Sequence, residues 1–327
     1  MHIEAFVSID NFFYIKKNAN HEILDKCITF IAKQKNNKKE IIESSYKKNS
    51  LYDIKLSEKV YNKEVDIAIK TKFNNDYKFI NLKKSILFYE YNDLVGLSID
   101  KIKQFNLDKI KFFPLTYVDD GLVVQQLAIG SFFRPDNLLD FNRYLLKNIA
   151  KVINIFSSLN YGNIKVASYL KNLETSNIKN SLSSKIIKTF VLKLNNYNED
   201  ILNISLTHGD FKFEHLFTVD NELEYLVDWE NVDVRSIYFD LFNFFVPCFV
   251  YRSHSYAEIK KFTLKFIQNY LSDHFDYIKD KYDLYFSIFV LERYARIESK
   301  KTFEFDKNEA YKRYELLFKN LINESNL

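Results

Sequence analysis

The stretch 206–230 constrains this chain more than any other. It opens Leu206-Thr207-His208-Gly209-Asp210-Phe211-Lys212 and closes on Asp228-Trp229-Glu230. Between these ends two apolar segments, 213–219 and 223–227, flank Asp220-Asn221. Apolar runs on either side of a two-residue turn signal predict a β-hairpin. A hairpin returns the chain to its starting point, so Asp210 just before it and Asp228 just after it are expected at the same end. Two converging carboxylates suit a base for a hydroxyl and a ligand for a divalent cation that carries phosphates.

Three elements stand in order here. His208-Gly209-Asp210 comes first, Asp228-Trp229-Glu230 begins eighteen residues after Asp210, and Asp240-Leu241 follows twelve residues after Asp228, at the head of a predicted helix. Acids exposed on a turn do not explain three elements at these spacings. In its motifs the stretch resembles the catalytic segment of the aminoglycoside phosphotransferase and choline kinase family, a branch of the protein-kinase-like fold. The resemblance spans about residues 44–245. It implies a two-lobed α+β architecture, with a small β-sheet N-lobe and a larger, mostly helical C-lobe. It also implies transfer of the ATP γ-phosphoryl group to a hydroxyl of a small molecule: a sugar, an amino alcohol or an aminoglycoside-like compound. Asp210 is then the residue that accepts or orients the hydroxyl proton, and Asp228 a ligand of phosphate-bridging Mg²⁺. His208 and Asp240 brace the loop.

One residue departs from the family pattern. Five residues after the Asp the family has Asn, a metal ligand, where this chain has His215. An imidazole is a poorer Mg²⁺ ligand than an amide oxygen and suits softer metals, so Mn²⁺ is the alternative cation. The other reading of His215 is a histidine that only hydrogen-bonds the loop. Lys212 resembles the lysine that protein kinases place against the transferred phosphate; its alternative is a solvated loop lysine.

Upstream, Val65, Ile67 and Ile69 alternate with Asp66, Ala68 and Lys70, a period of two that predicts a strand. Ala68-Ile69-Lys70 resembles the kinase strand whose lysine contacts nucleotide phosphates, with Lys72 as the rival on the same face. A helix is expected over 82–97, and Glu90, twenty residues after Lys70, is placed to pair with it. The segment 43–51 holds no glycine, so a phosphate loop here has Ser44, Ser45, Asn49 and Ser50 in place of the kinase glycines. Residues 110–118 and 122–127 around Asp119-Asp120-Gly121 predict a second hairpin. The resemblance makes its end the hinge, where backbone groups of Gln126 and Ala128 read the adenine edge. The boundary falls there, giving an N-lobe over 1–128, with an N-terminal helical extension, and a C-lobe over 129–327.

The remaining pattern is helical. Ile23, Leu24, Cys27, Ile28, Phe30 and Ile31 predict one helix; Phe141, Tyr144, Leu145, Ile149, Val152, Ile153, Phe156 and Leu159 another; and 257–275, 281–298 and 308–323 three more. Composition excludes several classes. Forty-seven basic and 43 acidic residues leave a net charge of +4, too balanced for a nucleic-acid partner. The run 241–251 is too short and too interrupted to span a bilayer. Met1-His2-Ile3-Glu4 lacks the basic and apolar regions of a secretory signal. Cys27 and Cys248 have no metal-site spacing, and a reducing, cytoplasmic setting is expected. The expected activity is therefore that of an ATP- and Mg²⁺-dependent small-molecule kinase. The alternative is a catalytically weak, kinase-like nucleotide-binding protein, suggested by His215 and the glycine-free segment.

Overall fold

The computed structural model of the chain describes residues 2–35, 37–71, 76–90, 99–128, 131–132, 141–173, 188, 190–250 and 255–299. Two compact units emerge: Met1–Phe133 with Glu214–Glu230, and Arg134–Phe213 with Asn231–Leu327. The first is rich in strands and the second mostly helical, as the α+β expectation requires.

The first unit is built on an eight-stranded antiparallel sheet. Its strands are β1 (His2–Ser8), β2 (Phe13–Lys16), β3 (Leu51–Leu56), β4 (Ile67–Lys70), β5 (Tyr77–Asn81), β6 (Ile86–Glu90), β7 (Thr116–Asp119) and β8 (Leu122–Gln126). They lie in the order β3-β1-β2-β4-β5-β6-β8-β7. The β7–β8 turn places Asp120 (φ 49°) and Gly121 (φ 77°) in the left-handed region, the geometry of a two-residue hairpin turn. Helix α1 (His21–Lys35) lays Cys27, Ile28 and Ile31 on one face of the sheet, against Ile15, Ile67 and Ile80. The opposite face buries Phe6, Tyr14, Ala68, Phe79 and Phe88. Helices α2 (Lys39–Lys48), α3 (Glu58–Tyr61) and α4 (Ile99–Phe105) complete this part.

Two expectations fail here. Residues 86–90 form strand β6 and not a helix, and 91–98 lie outside the described residues. The strand is central, with Phe88 and Tyr89 both buried on opposite faces, so its sequence is a continuous apolar run without a period of two. The second failure concerns 43–48, which continue α2; Ser45 returns its hydroxyl to the Ile41 carbonyl, one helical turn back. Ser44 and Ser45 therefore belong to a helix, not to a phosphate-binding turn.

A second, three-stranded sheet in this unit holds β9 (Ser131–Phe132), β12 (Leu216–Val219) and β13 (Glu222–Leu226) in the order β13-β12-β9. The segment 214–230 is tied to its unit by that pairing, by the Leu226 N–H on the Phe112 carbonyl, and by Trp229 packed edge-on to Phe113.

The second unit places strands β10 (Asn160–Lys165), β11 (Ile201–Thr207) and β14 (Asp233–Ser236) beside helices. These are α5 (Arg143–Ser158), α6 (Val166–Asn172), α7 (Phe239–Val250), α8 (Tyr256–Tyr270), α9 (Ser272–Lys279) and α10 (Tyr282–Ser299). Asn142 caps α5 by accepting the Leu145 N–H, and Ser255 with Glu258 forms a capping box on α8. Of the apolar stripe expected over 141–159, Leu145, Ile149, Val152, Ile153 and Phe156 are buried and Phe141 and Leu159 partly so, but Tyr144 is 56% exposed. Phe242 and Phe245 of α7 pack against Phe286 and Phe289 of α10 and against Phe262 and Phe266 of α8, so the aromatic residues form the core of this unit. The segment 308–323 lies outside the described residues. No described helix is long and apolar enough to cross a membrane, and Cys27 and Cys248 are buried free thiols.

Candidate active site

In the second unit β11 delivers the chain into His208-Gly209-Asp210. Gly209 has φ +78°, and a Cβ added there would stand 2.2 Å from the Asn231 carbonyl oxygen and 2.7 Å from Nη1 of Arg235. Only glycine fits that left-handed, crowded position. Asp240, buried in the first turn of α7, accepts the His208 N–H at 2.6 Å and the Gly209 N–H at 2.9 Å. A carboxylate that takes two backbone donors fixes their peptide planes. Asn243, one turn along α7, donates to the Phe211 carbonyl at 3.1 Å. The His208 ring is buried, and its Nδ1 accepts the Asp210 N–H at 3.3 Å.

That scaffold leaves the Asp210 carboxylate partly exposed, with the Lys212 ammonium 3.0 Å from Oδ2. A carboxylate fixed by its backbone and beside a cation can accept a proton and keep its charge partner in place. Behind the loop, Thr207 donates to the Asp233 carbonyl and receives Nη1 of Arg235 at 2.7 Å. Glu292 of α10 anchors the next strand: it accepts the Ser236 N–H and hydroxyl, each at 2.7 Å, and the Tyr169 hydroxyl. Burial pushes the Glu292 carboxyl above its ordinary range, and these donors together with Arg235 oppose the shift.

In the first unit the hairpin forms as expected. Asp220 (φ 50°) and Asn221 (φ 65°) both take left-handed conformations, and Val219 pairs with Glu222 across the two-residue loop. At the open end the Val227 N–H donates to the His215 carbonyl at 3.0 Å. The side chains meet there too: Nε2 of buried His215 lies 3.0 Å from Oδ2 of half-buried Asp228. Asp228 itself has φ 67°, an uncommon conformation for a residue with a side chain. Trp229 next to it is buried and donates its indole N–H to the Leu226 carbonyl. One carboxylate and one imidazole side by side are a fitting donor pair for a divalent cation, softer than an all-oxygen set.

Lys70 and Glu90 are not brought together. Lys70 ends β4 opposite Tyr77 of β5, and Glu90 ends β6, one strand further across the sheet. Two strand spacings put their backbones about 10 Å apart. Among the described residues no ion pair joins them, and Lys72 lies outside the described residues. Gln126 commits its backbone N–H to the Leu115 carbonyl and its side-chain amide to the Tyr225 hydroxyl. Ala128 is buried at the end of the described segment.

The sequence reading missed Lys78 and Glu230. The Lys78 ammonium on β5 lies 2.8 Å from Oε1 of Glu230 and 5.3 Å from the centre of the Tyr89 ring. Burial presses its pKa down, but the charges of Glu230 and Asp228 outweigh this and hold it above the ordinary lysine value. Lys101 of α4 donates to the Glu230 main-chain carbonyl at 3.2 Å. A lysine inside the apolar run Tyr77–Asn81 is a weak signal of such a place, since a solvated strand lysine has the same sequence.

No protein-family model matches the sequence, and no curated protein matches it either. Solved structures of similar backbone include a choline kinase from Cryptosporidium parvum Iowa II, with 17% identity over 80% of this chain and 90% of that one, at a TM-score of 0.49. The amicoumacin kinase hAmiN, in complex with AMP-PNP, Ca²⁺ and Ami, matches at 12% identity over 77% of this chain and 87% of its own, TM-score 0.48. An ADP-bound aminoglycoside phosphotransferase matches at 13% identity over 80% of this chain and 97% of its own, TM-score 0.47. The chain is thus similar to choline kinases and aminoglycoside phosphotransferases, the family that its catalytic-segment motifs resemble.

Proposed function

We propose that this chain is an ATP-dependent phosphotransferase that moves the γ-phosphoryl group to a hydroxyl of a small molecule. The observation that carries the reading is the double acceptance of the His208 and Gly209 N–H groups by Asp240. It joins the first and third sequence elements into one braced loop, and the residue that loop presents is Asp210.

In this reading Asp210 accepts or orients the acceptor's hydroxyl proton, and Lys212 offsets charge on the transferred group. Asp228 and His215 would hold a divalent cation, Mg²⁺ or Mn²⁺, which would neutralise part of the phosphate charge. Backbone groups around Ala128 read the adenine edge, the Gln126 N–H being committed to the Leu115 carbonyl. Such sites act by positioning and electrostatics, so removing the base costs about 10²–10⁴-fold in rate.

The acceptor in this reading is a neutral sugar or another metabolite hydroxyl. A polycation would require unpaired acids around it, and three acids of the late helices already have partners. Asp283 pairs with Lys260, Asp276 with Lys279, and Glu292 is bound to Tyr169 and Ser236.

The test separates the two aspartates. Asp210→Asn should keep metal-dependent ATP binding in calorimetry while transfer in a screen of hydroxylated metabolites collapses. Asp228→Asn should lose both. A second reading, a nucleotide-binding protein without turnover, draws on the contact of His215 with Asp228 at the position where the family carries Asn. Wild-type ATP binding with no transfer to any acceptor, and no change in Asp210→Asn, would establish that second reading in place of the first.

A further inference from the structure

The two carboxylates of Asp228-Trp229-Glu230 flank a buried tryptophan, so the segment is anchored at its centre and presents an acid on either side. Asp228 faces His215. Glu230 faces Lys78, which β5 holds half-buried with its ammonium over the Tyr89 ring. The ring limits where the long side chain can swing, and partial burial strengthens every charge interaction that the ammonium makes.

Strand register decides which lysine can serve Asp228. Ile69 of β4 lies directly opposite Lys78 of β5, and Lys70 opposite Tyr77. Neighbouring side chains on a strand point to opposite faces, so Lys70 and Lys78 leave the sheet on different sides. Lys70 shares its side with Ala68 and Phe79 of the buried cluster there. Lys78 shares its side with Tyr89 and pairs with Glu230, two residues from Asp228.

We infer that Lys78 is the lysine that contacts the nucleotide phosphates, and that Glu230 positions it. This rests on the phosphotransferase reading above. An ammonium paired with the residue two positions from Asp228 would meet nucleotide phosphate oxygens as a compact point charge with three donors. Glu230 is a positioning residue: it keeps the ammonium on the Asp228 side of the sheet without touching the nucleotide. The third residue of the motif thereby does the work expected of Glu90.

The experiment compares Lys78→Met, Lys70→Met, Lys101→Met, Glu230→Gln and, as control, the exposed turn variant Lys84→Met. ATP affinity with Mg²⁺ or Mn²⁺ is read by calorimetry, KM and kcat for ATP by turnover, and folding by Tm. Lys78→Met should weaken ATP binding or kcat/KM by about 100-fold, and Glu230→Gln should raise the Kd and KM for ATP by about tenfold with a smaller effect on kcat. In the double variant Glu230→Gln should add nothing to Lys78→Met, because its effect passes through the lysine. Lys84→Met should match wild type. A folded Lys78→Met with ATP binding and turnover within about threefold of wild type overturns the assignment. So does a larger loss in Lys70→Met or Lys101→Met.

The wild-type protein gives an independent readout should Lys78→Met not fold. An acyl phosphate of ATP transfers its acyl group to a nearby lysine: the amine nitrogen bonds the carbonyl carbon, the phosphate oxygen leaves with ATP, and the proton passes to buffer. Peptide mapping should find the acyl group on Lys78, and excess ATP should suppress it. Acylation of Lys70 or Lys101 instead overturns the inference alone. A wild-type protein that binds no ATP with either cation overturns both the inference and the reading on which it rests.

Discussion

Nε2 of His215 and Oδ2 of Asp228 lie 3.0 Å apart at the open end of one hairpin. The contact follows from a two-residue turn whose central residues both take left-handed conformations and from a register shift between Phe217 and Thr218, which together set which residues meet at the far end.

If both side chains bind the cation, the imidazole shifts its preference. ATP turnover should be faster with Mn²⁺ than with Mg²⁺, and His215→Asn should move the Mn²⁺-to-Mg²⁺ rate ratio toward Mg²⁺ by roughly tenfold. Parallel rate measurements with the two cations check this. An unchanged ratio in the variant assigns His215 to hydrogen bonding alone.

Asp228 holds a backbone conformation that an amino acid with a Cβ adopts at a cost. Asp228→Gly should therefore be more stable than Asp228→Ala by about 1 kcal/mol, although neither holds a cation. Urea unfolding midpoints of the two variants decide it; equal midpoints would mean that the φ of 67° carries no strain.

Gly209→Ala is the severe substitution. The added methyl would meet the Asn231 carbonyl at 2.2 Å, at a positive φ. A loss of about 3 kcal/mol or more is expected, together with loss of transfer, since the loop that presents Asp210 must shift. A urea-derived loss below about 1 kcal/mol would show that the loop relaxes freely.

His274 of α9 predicts an acid-side weakness. Its ring contacts the Ser157 and Tyr238 hydroxyls, and burial lowers its pKa below the ordinary 6.5, with the charge of Asp273 opposing. The unfolded chain therefore takes up a proton first as pH falls past 6.5, and stability declines from there down through the folded-state pKa. Melting curves between pH 7 and 5 should show His274→Gln losing less Tm than wild type across that window. Parallel slopes for the two proteins would remove His274 as the cause.

The elements that were legible in the sequence are those specified by local pattern. Asp220-Asn221 between apolar runs specifies its own turn, and the stripes of α1 and α5 specify most of their buried faces. Each depends on residues a few positions apart, whose conformational preferences act before any tertiary contact forms. Three features depended on distant partners. Residues 86–90 become a strand because β5 and β8 pair with them on either side and both faces are then buried. Ser44 and Ser45 become helical as part of α2, whose Ile42 is buried against Cys27, Ile28 and Ile31 of α1 and Ile15, Ile67 and Ile80 of the sheet. The choice between Lys70 and Lys78 is one of register: a lysine on a strand reaches one face or the other according to which residue stands opposite it. Pairing with a neighbouring strand and packing of Glu230 against β5 settle that face, and neither contact is written in the residues around the lysine itself.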